Sequence, residues 1–350
     1  MTVLDVAVVG GGQAGLAIGY HLRARGLDFE ILDGADSVGH MWRTRWDSLR
    51  LFTPAQYAGL PGLAFPAAPD TYPTKDQVAD YLRTYASHFT LPIRLGTTVT
   101  ELAVTPAGNT LTTAASVIQA RQVVVATGPF QIPVTPACGG GFSSEVLQLH
   151  SSCYRNPEPL RGLQVLVVGG GNSGFQLATE LATDPGVGAV TLASGTRNAC
   201  VPQRILGRDL FWWQTITGLI SAPADSRRGR WLRRGEGTVI GLSHRDLRRA
   251  DITVRPRLTS ANRRRAGFAD GSSVEIDAVV WATGYRRDHT WITVDNVLDH
   301  TGALRHHRGV TPATGLYVLG QPWQHTTGSA LLGFVQHDAA YLAQRLTRRT

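Results

Sequence analysis

Apolar residues along the chain fall into short runs, most of them closed by glycine, with stretches of helical spacing between them. The first run, residues 4–9, enters Gly10-Gly11-Gly12-Gln13-Ala14-Gly15. Leu16, Ile18 and Leu22 then recur at helix-like intervals, and a second run, residues 29–32, ends on Asp33. An apolar run of this length bounded by turn residues is the pattern of a strand buried on both faces, and the spacing after it predicts a helix packed on that strand. The same order returns at residues 163–168, followed by Gly169-Gly170-Gly171-Asn172-Ser173-Gly174, a helix carrying Phe175, Leu177 and Leu181, and a run at 190–192 leading to Ser194-Gly195-Thr196-Arg197. A third strand is predicted over 315–320, with a helix starting at Gly328-Ser329 and running through Leu331, Phe334 and Tyr341. Two more buried-strand patterns end on Ala126-Thr127-Gly128 and on Ala282-Thr283-Gly284. Internal duplication is the simplest account of the repetition.

Strand, glycine turn, helix and strand in this order define an α/β protein with two Rossmann-like dinucleotide-binding domains. Each Ala-Thr-Gly strand closes one unit just before the chain leaves it, and Pro129, Pro133 and Pro136 stiffen the first exit. The C-terminal strand and helix are expected to return to the first unit. A second unit, 156–285, expected to bind NAD(P)H, is thus predicted to be inserted into a first unit made of 1–155 and 286–350, expected to bind FAD.

The residue types suit that chemistry. Gly10 makes the tight turn, Gly12 lets the backbone approach a pyrophosphate, and Gly15 lets helix and strand pack closely. The helix start offers unpaired N–H groups and a positive dipole end to phosphates, with Gln13 and Ala14 in the same turn. Asp33, about twenty residues on, is placed to accept hydrogen bonds from an adenosine ribose. In the second turn Gly169, Gly171 and Gly174 repeat these roles, with Asn172 and Ser173 beside the phosphates. Ser194 replaces the acid there and Arg197 follows, which suits the extra phosphate of NADP; a solvated loop is the other reading of Arg197. NADPH is expected, with NADH as the alternative. Two dinucleotide motifs in one chain imply electron transfer between a nicotinamide and FAD.

Composition changes this picture little. The 350 residues carry a net charge of +8, and of the 34 basic residues only Lys75 is a lysine. The arginines are spread along the chain with no nucleic-acid-binding signature beside them, so no nucleic-acid partner is expected. No apolar run is long enough to span a bilayer, and no secretory leader pattern opens the sequence, so the expected address is cytoplasmic. Cys138, Cys153 and Cys200 form no CxxC pair, which argues against a zinc site and against thiol–disulfide exchange between an attacking and a resolving cysteine.

The two glycine fingerprints, the paired Ala-Thr-Gly strands and Leu149-His150-Ser151-Ser152-Cys153-Tyr154-Arg155-Asn156-Pro157 resemble the class B flavin-containing monooxygenases over nearly the whole chain. The resemblance implies bound FAD, reduction by NADPH, and capture of O2 as a C4a-(hydro)peroxyflavin that oxygenates a small organic substrate. The partners implied are that substrate and O2, with a homodimer left open. His150 and Tyr154 keep the second half of the family signature, while Val146 replaces its glycine and Phe142 stands two positions early. Gly39-His40-Met41-Trp42 has lost one glycine of the familiar Gly-Gly-x-Trp. Where Phe52 stands the family often has an asparagine, and a phenylalanine cannot donate a hydrogen bond. The alternatives are an NAD(P)H-dependent flavin reductase or oxidase releasing peroxide, and a non-catalytic regulatory flavoprotein.

Phe52, His150 and Trp323 are the candidate catalytic residues, although His150 opens a linker and an orienting role suits it better. Trp42, Trp46 and Tyr57 are candidates to wrap the flavin ring, with simple core as the other reading. Arg43 and Arg45 are candidates for the FAD pyrophosphate. Ala126, Thr127, Gly128, Thr283, Gly284, Gly320 and Ser329 complete the expected nucleotide contacts. The aromatic stretch 208–220 and the basic 227–234 are expected to form a helical lid or domain-contact surface.

Overall fold

The computed structural model describes residues 3–105, 108–195, 198–235 and 237–346. The chain begins with β1 (Leu4–Val9), α1 (Gln13–Ala24) and β2 (Phe29–Leu32). It continues through a helical turn at His40–Arg43, α2 (Lys75–His88), β3 (Ile93–Arg94), β4 (Val99–Thr105), β5 (Gly108–Thr113) and β6 (Val117–Val125). Their sheet has the order β3-β2-β1-β6-β5-β4. β1 runs parallel to both neighbours, with Val8 opposite Ile31 and Val124. Successive strand side chains point to opposite faces. Val6 and Val8 therefore enter one core with α1 and α2, and Ala7 and Val9 another with Leu102 and Leu111. Burial on both faces is why β1 carries no polar alternation.

The chain then crosses out through Ile132–Pro133, which pairs antiparallel with the returning Tyr285–Arg286. The second unit contains β7 (Leu147–His150), β8 (Val165–Val168), α3 (Asn172–Thr183) and β9 (Val190–Ala193). It goes on with α4 (Leu210–Ile216), α5 (Arg227–Arg233), α6 (His244–Arg249), β10 (Thr253–Arg255) and β11 (Ala278–Trp281). Its sheet, β10-β9-β8-β11-β7, is parallel throughout. The division of faces seen in β1 repeats in β8: Val165 and Val167 pack with Phe175 and Leu181 of α3, whereas Leu166 and Val168 pack with Phe268 and Trp281. Each of these fully buried side chains contributes roughly 1.5–3 kcal/mol. β12 (Leu316–Val318) then returns to lie parallel on β6, and α7 (Gln336–Ala343) packs beside α1.

Two positions differ from the sequence expectation. β7 precedes the expected crossing at residue 155, yet it is hydrogen-bonded into the second sheet along β11. It is an edge strand with Leu147 and Gln148 exposed, so it lacks the continuous apolar run that marks the central strands. The last helix starts at Gln336, not at Gly328-Ser329. Residues 327–335 form turns around a bend at 331 instead. A Cβ on Gly328 would lie 2.8 Å from Phe334 Cβ, and one on Gly333 would collide with the Tyr57 carbonyl. The segment folds tightly on itself and on residues 57–59 before helix can propagate.

Candidate active site

The two glycine turns are built by the same contacts. Gly10 has φ +112°, and a Cβ there would sit 2.5 Å from the Ala126 carbonyl; Gly169 has φ +139° and would meet the equivalent carbonyl of Ala282. The closing Ala-Thr-Gly strands are thus the floors against which each turn is pressed. A Cβ on Gly15 would collide with Gly10 O, and one on Gly174 with Gly169 O. By contrast, a Cβ on Gly12 or Gly171 would meet nothing within 4 Å. These open glycines are the N-caps of α1 and α3, and neither helix start has a side-chain cap. Four other helices, α2, α4, α5 and α6, are capped by Thr74, Asp209, Ser226 and Ser243. Helix N–H groups left open at a glycine turn are a phosphate cradle. Both turns fit a dinucleotide.

The surroundings of the two cradles differ. Asp33 accepts from Gly11 N at 2.5 Å and from Ala35 N at 2.8 Å, which fixes its carboxylate beneath the first turn. Gln13 donates to Ala330 O at 3.0 Å and accepts from Trp42 Nε1 at 3.3 Å, tying the turn to the C-terminal segment and to the helical turn at His40–Arg43. Gly320, at φ +84°, lets that segment pass Ala14. Beyond it Gln321 Nε2, Gln324 Nε2 and Thr327 Oγ1 are buried without a hydrogen-bond partner among the described residues. Buried donors left unpaired are costly, and a bound cofactor with ring carbonyl and nitrogen acceptors, such as FAD, would satisfy them.

In the second cradle Ser194 stands beneath Gly170 as Asp33 stands beneath Gly11. Asn172 does not face outward to a phosphate: its amide donates to Thr238 O at 3.2 Å and accepts from Ile240 N at 2.9 Å, pinning residues 238–240 to the helix start. Ser173 lies half-buried in the same first turn. Arg197 lies outside the described residues.

Several other candidates are placed differently from expectation. Arg43 points away from the turn and pairs with Asp80 at 2.7 Å and Asp76 at 3.5 Å on α2. Trp46 is buried with Tyr154, Leu160 and Phe175 in the core of the second unit. Ser329 Oγ accepts from His325 N and Thr326 N, holding its own loop. Thr127 Oγ1 and the Gly128 carbonyl both accept from Gln131, and Thr283 Oγ1 donates to Val134 O, so these groups brace the crossings. A partner within the protein takes the polar atom of Arg43, Thr127, Thr283 and Ser329, and only for Ser329 is that partner a neighbouring backbone group.

His150 ends β7. Its Nδ1 accepts from Ser152 N at 3.1 Å, so the hydrogen-bond network assigns the proton to Nε2, which faces Gly284 O at 3.1 Å. Burial, reinforced by the nearby Arg45 charge and opposed by the Gly284 carbonyl, holds its pKa below the ordinary histidine range. A neutral imidazole donating to Gly284 orients the second crossing. Arg45 joins that junction, donating to the Tyr285 hydroxyl and lying over the Phe130 and Tyr285 rings.

Phe52 and Trp323 lie where the insert leans back on the first unit. Phe52 stacks on Phe211 of α4 (5.8 Å, 11°), Phe211 on Phe334 (6.4 Å, 30°), and Phe334 on Tyr57 (6.1 Å, 20°). Trp323, at φ +58°, half-buried, has the Arg233 guanidinium 5.6 Å over its ring. Asp209 holds α4 in place. Only 1% exposed, it accepts from Phe211 N at 2.7 Å, from Gln203 Nε2 at 2.7 Å and from the Tyr72 hydroxyl at 2.8 Å. Gln203 Nε2 also donates to Phe52 O at 2.9 Å. Burial, together with the adjacent Asp209 carboxylate, pushes the Tyr72 phenol up to about 12. Sequence reasoning missed Asp209, Gln203 and Tyr72; an aspartate directly ahead of the apolar run at 210–213 was a usable N-cap signal.

Two phosphate cradles, each at the end of a central parallel strand of its own sheet and joined through an aromatic contact, define a two-nucleotide oxidoreductase. Known proteins agree. Residues 7–199 match the family described as pyridine nucleotide-disulphide oxidoreductases. The chain is 43% identical, over 97% of both lengths, to a Geobacillus kaustophilus protein described as "Uncharacterized oxidoreductase CzcO-like". It is 30% identical to the indole-3-pyruvate monooxygenase YUCCA8 of Oryza sativa, over 85% of this chain and 80% of that one. Among solved structures, a flavin-containing monooxygenase from Stenotrophomonas maltophilia has a TM-score of 0.82 at 28% identity, covering 99% of this chain and 98% of the other. Cyclohexanone monooxygenase, at 17% identity and TM-score 0.73 over 98% and 87% of the two chains, shares the fold. This chain belongs to the pyridine nucleotide-disulphide oxidoreductase family and, within it, to the class B flavin-containing monooxygenases. A solved structure of the same fold, OTEMO, at 14% identity and TM-score 0.71 over 98% and 85% of the two chains, holds FAD and NADP. The disulphide chemistry in the family's description has no CxxC pair here, and Cys138, Cys153 and Cys200 are all free thiols. No helix among the described residues is long and apolar enough to cross a membrane.

Proposed function

We propose that the first cradle, over Asp33, holds FAD and the second, over Ser194, holds NADPH, and that one atom of O2 passes to a small organic substrate where the insert meets the first unit. The observation that carries this reading is the asymmetry between the cradles. Gln13 of the first turn donates to the C-terminal segment, which carries the unpaired Gln321 Nε2, Gln324 Nε2 and Thr327 Oγ1, whereas its counterpart Asn172 bonds Thr238 and Ile240. Bound FAD would supply the redox and oxygen chemistry. The protein's own part is to bind both nucleotides, to keep water from the junction with the Phe52–Phe211–Phe334–Tyr57 stack, and to hold α4 there through Asp209. A cytoplasmic address fits the free thiols.

The test is turnover under labelled O2 with NADPH and a panel of neutral organic compounds. Label in an organic product supports oxygenation. Stoichiometric peroxide with no labelled product would favour the second reading, an NADPH oxidase, for which Phe52 is the specific motive: it offers no side-chain donor at this junction.

A further inference from the structure

We propose that the cavity between residues 56–64 and the C-terminal segment binds an uncharged aromatic compound. The cavity measures about 460 Å³, within the roughly 300–1,000 Å³ typical of small-molecule sites. Tyr57 and Phe334 present near-parallel rings, and Leu60 and Leu63 add apolar wall. No arginine, lysine, aspartate or glutamate lines it, in a chain with 34 basic and 26 acidic residues. A charged ligand in it would find no carboxylate, guanidinium or ammonium counter-charge, whereas an aromatic ring gains area burial and stacking.

The polar lining narrows the class further. Gln56 is committed to Asp70 in both directions, at 2.9 and 2.8 Å, and the Gln336 amide donates to Gly333 O at 2.6 Å. His337, exposed at the rim, makes no side-chain hydrogen bond among the described residues. The cavity therefore suits a ligand with one hydrogen-bonding group and an aromatic body. Its shape is fixed, because Gly333 packs its Cα directly on the Tyr57 carbonyl.

Its position links it to the redox centre. Gln13 of the first glycine turn donates to Ala330 O, three residues before Gly333, so one short segment runs from the FAD cradle to the cavity wall. Phe334 also belongs to the aromatic stack that reaches Phe52 through Phe211. The inference rests on the monooxygenase reading for what becomes of the ligand, but not for its binding.

The experiment measures binding to the FAD-loaded protein by equilibrium dialysis, with indole and indole-3-carboxylate as a pair differing by one carboxylate. Indole is expected to bind at least tenfold more tightly than the acid. Ala64→Trp, which plugs the exposed rim, is expected to weaken indole at least tenfold, and His337→Trp offers a second plug should the first fail to fold, as judged by flavin absorbance. Equal binding of the two probes, or undiminished indole binding by a folded plugged variant, overturns the proposal. Labelled-O2 turnover separates the two readings: intact indole binding with no labelled product sinks the oxygenase reading alone.

Discussion

The first and second glycine turns have nearly the same backbone and different company. In both, a positive-φ glycine lies on the carbonyl of an Ala-Thr-Gly strand, an open glycine caps the helix, and a third glycine lets helix and turn touch. They part at the end of the second strand, where Asp33 faces Gly11 and Ser194 faces Gly170. They part again at the residue after the open glycine: Gln13 reaches the C-terminal segment, while Asn172 clamps the loop before α6. The lesson is that the open phosphate cradle is a backbone property repeated in both turns, whereas the side chains around it are free to differ.

The largest expected effect comes from removing the shared backbone feature on one side only. Gly174→Ala forces a Cβ into Gly169 O and is expected to cost on the order of 3 kcal/mol. The purified variant should stay yellow yet lose NADPH-driven bleaching of the flavin band. Gly15→Ala should do the reverse, yielding apoprotein. Equal flavin content and reduction rates in both variants would end the assignment of the two cradles.

Next is the stack that joins the units. Phe211, 2% exposed, replaced by alanine should destabilise the protein by about 3–5 kcal/mol and raise the peroxide released per NADPH, as read by thermal melts and a peroxide assay. A milder version is Asp209→Asn, which sets an amide donor against the Tyr72 hydroxyl and Gln203. It should raise peroxide leakage with flavin content unchanged.

The side chains that distinguish the turns come third. Asp33→Ala loses two backbone hydrogen bonds to a carboxylate, each worth about 1.5–3 kcal/mol, and FAD retention on dialysis should fall at least tenfold. Ser194→Asp copies the first turn into the second. It should lower kcat/KM for NADPH about tenfold while sparing NADH, because the new carboxylate repels the extra phosphate.

The smallest effect is on pH dependence. Burial holds His21, His150, His289, His306 and His325 below the ordinary histidine pKa. The unfolded chain then binds more protons than the native one as pH falls below about 6.5, so stability is full above that range and declines toward the lower native pKa values. Melting temperature should drop between pH 7.5 and 5.5, and the drop should shrink in His150→Gln. A rise on acidification would contradict the neutral, backbone-orienting His150.

The sequence by itself determined both cradles, because short apolar runs, glycine spacing and the residues ending the second strands are local signals with few structural solutions. It also determined that one unit is inserted into the other, through the paired Ala-Thr-Gly strands. What only the tertiary structure decided is where polar atoms are spent. Arg43 on Asp80, Asn172 on residues 238–240, Ser329 on its own loop and Trp46 in the second core all depend on partners far along the chain or on folded turns. The same holds for the stack from Phe52 to Tyr57 and for Asp209 beneath it: their contacts span residues 52 to 334. Such pairings exist only once the folded chain has brought its segments together, and no hydrophobic period encodes them.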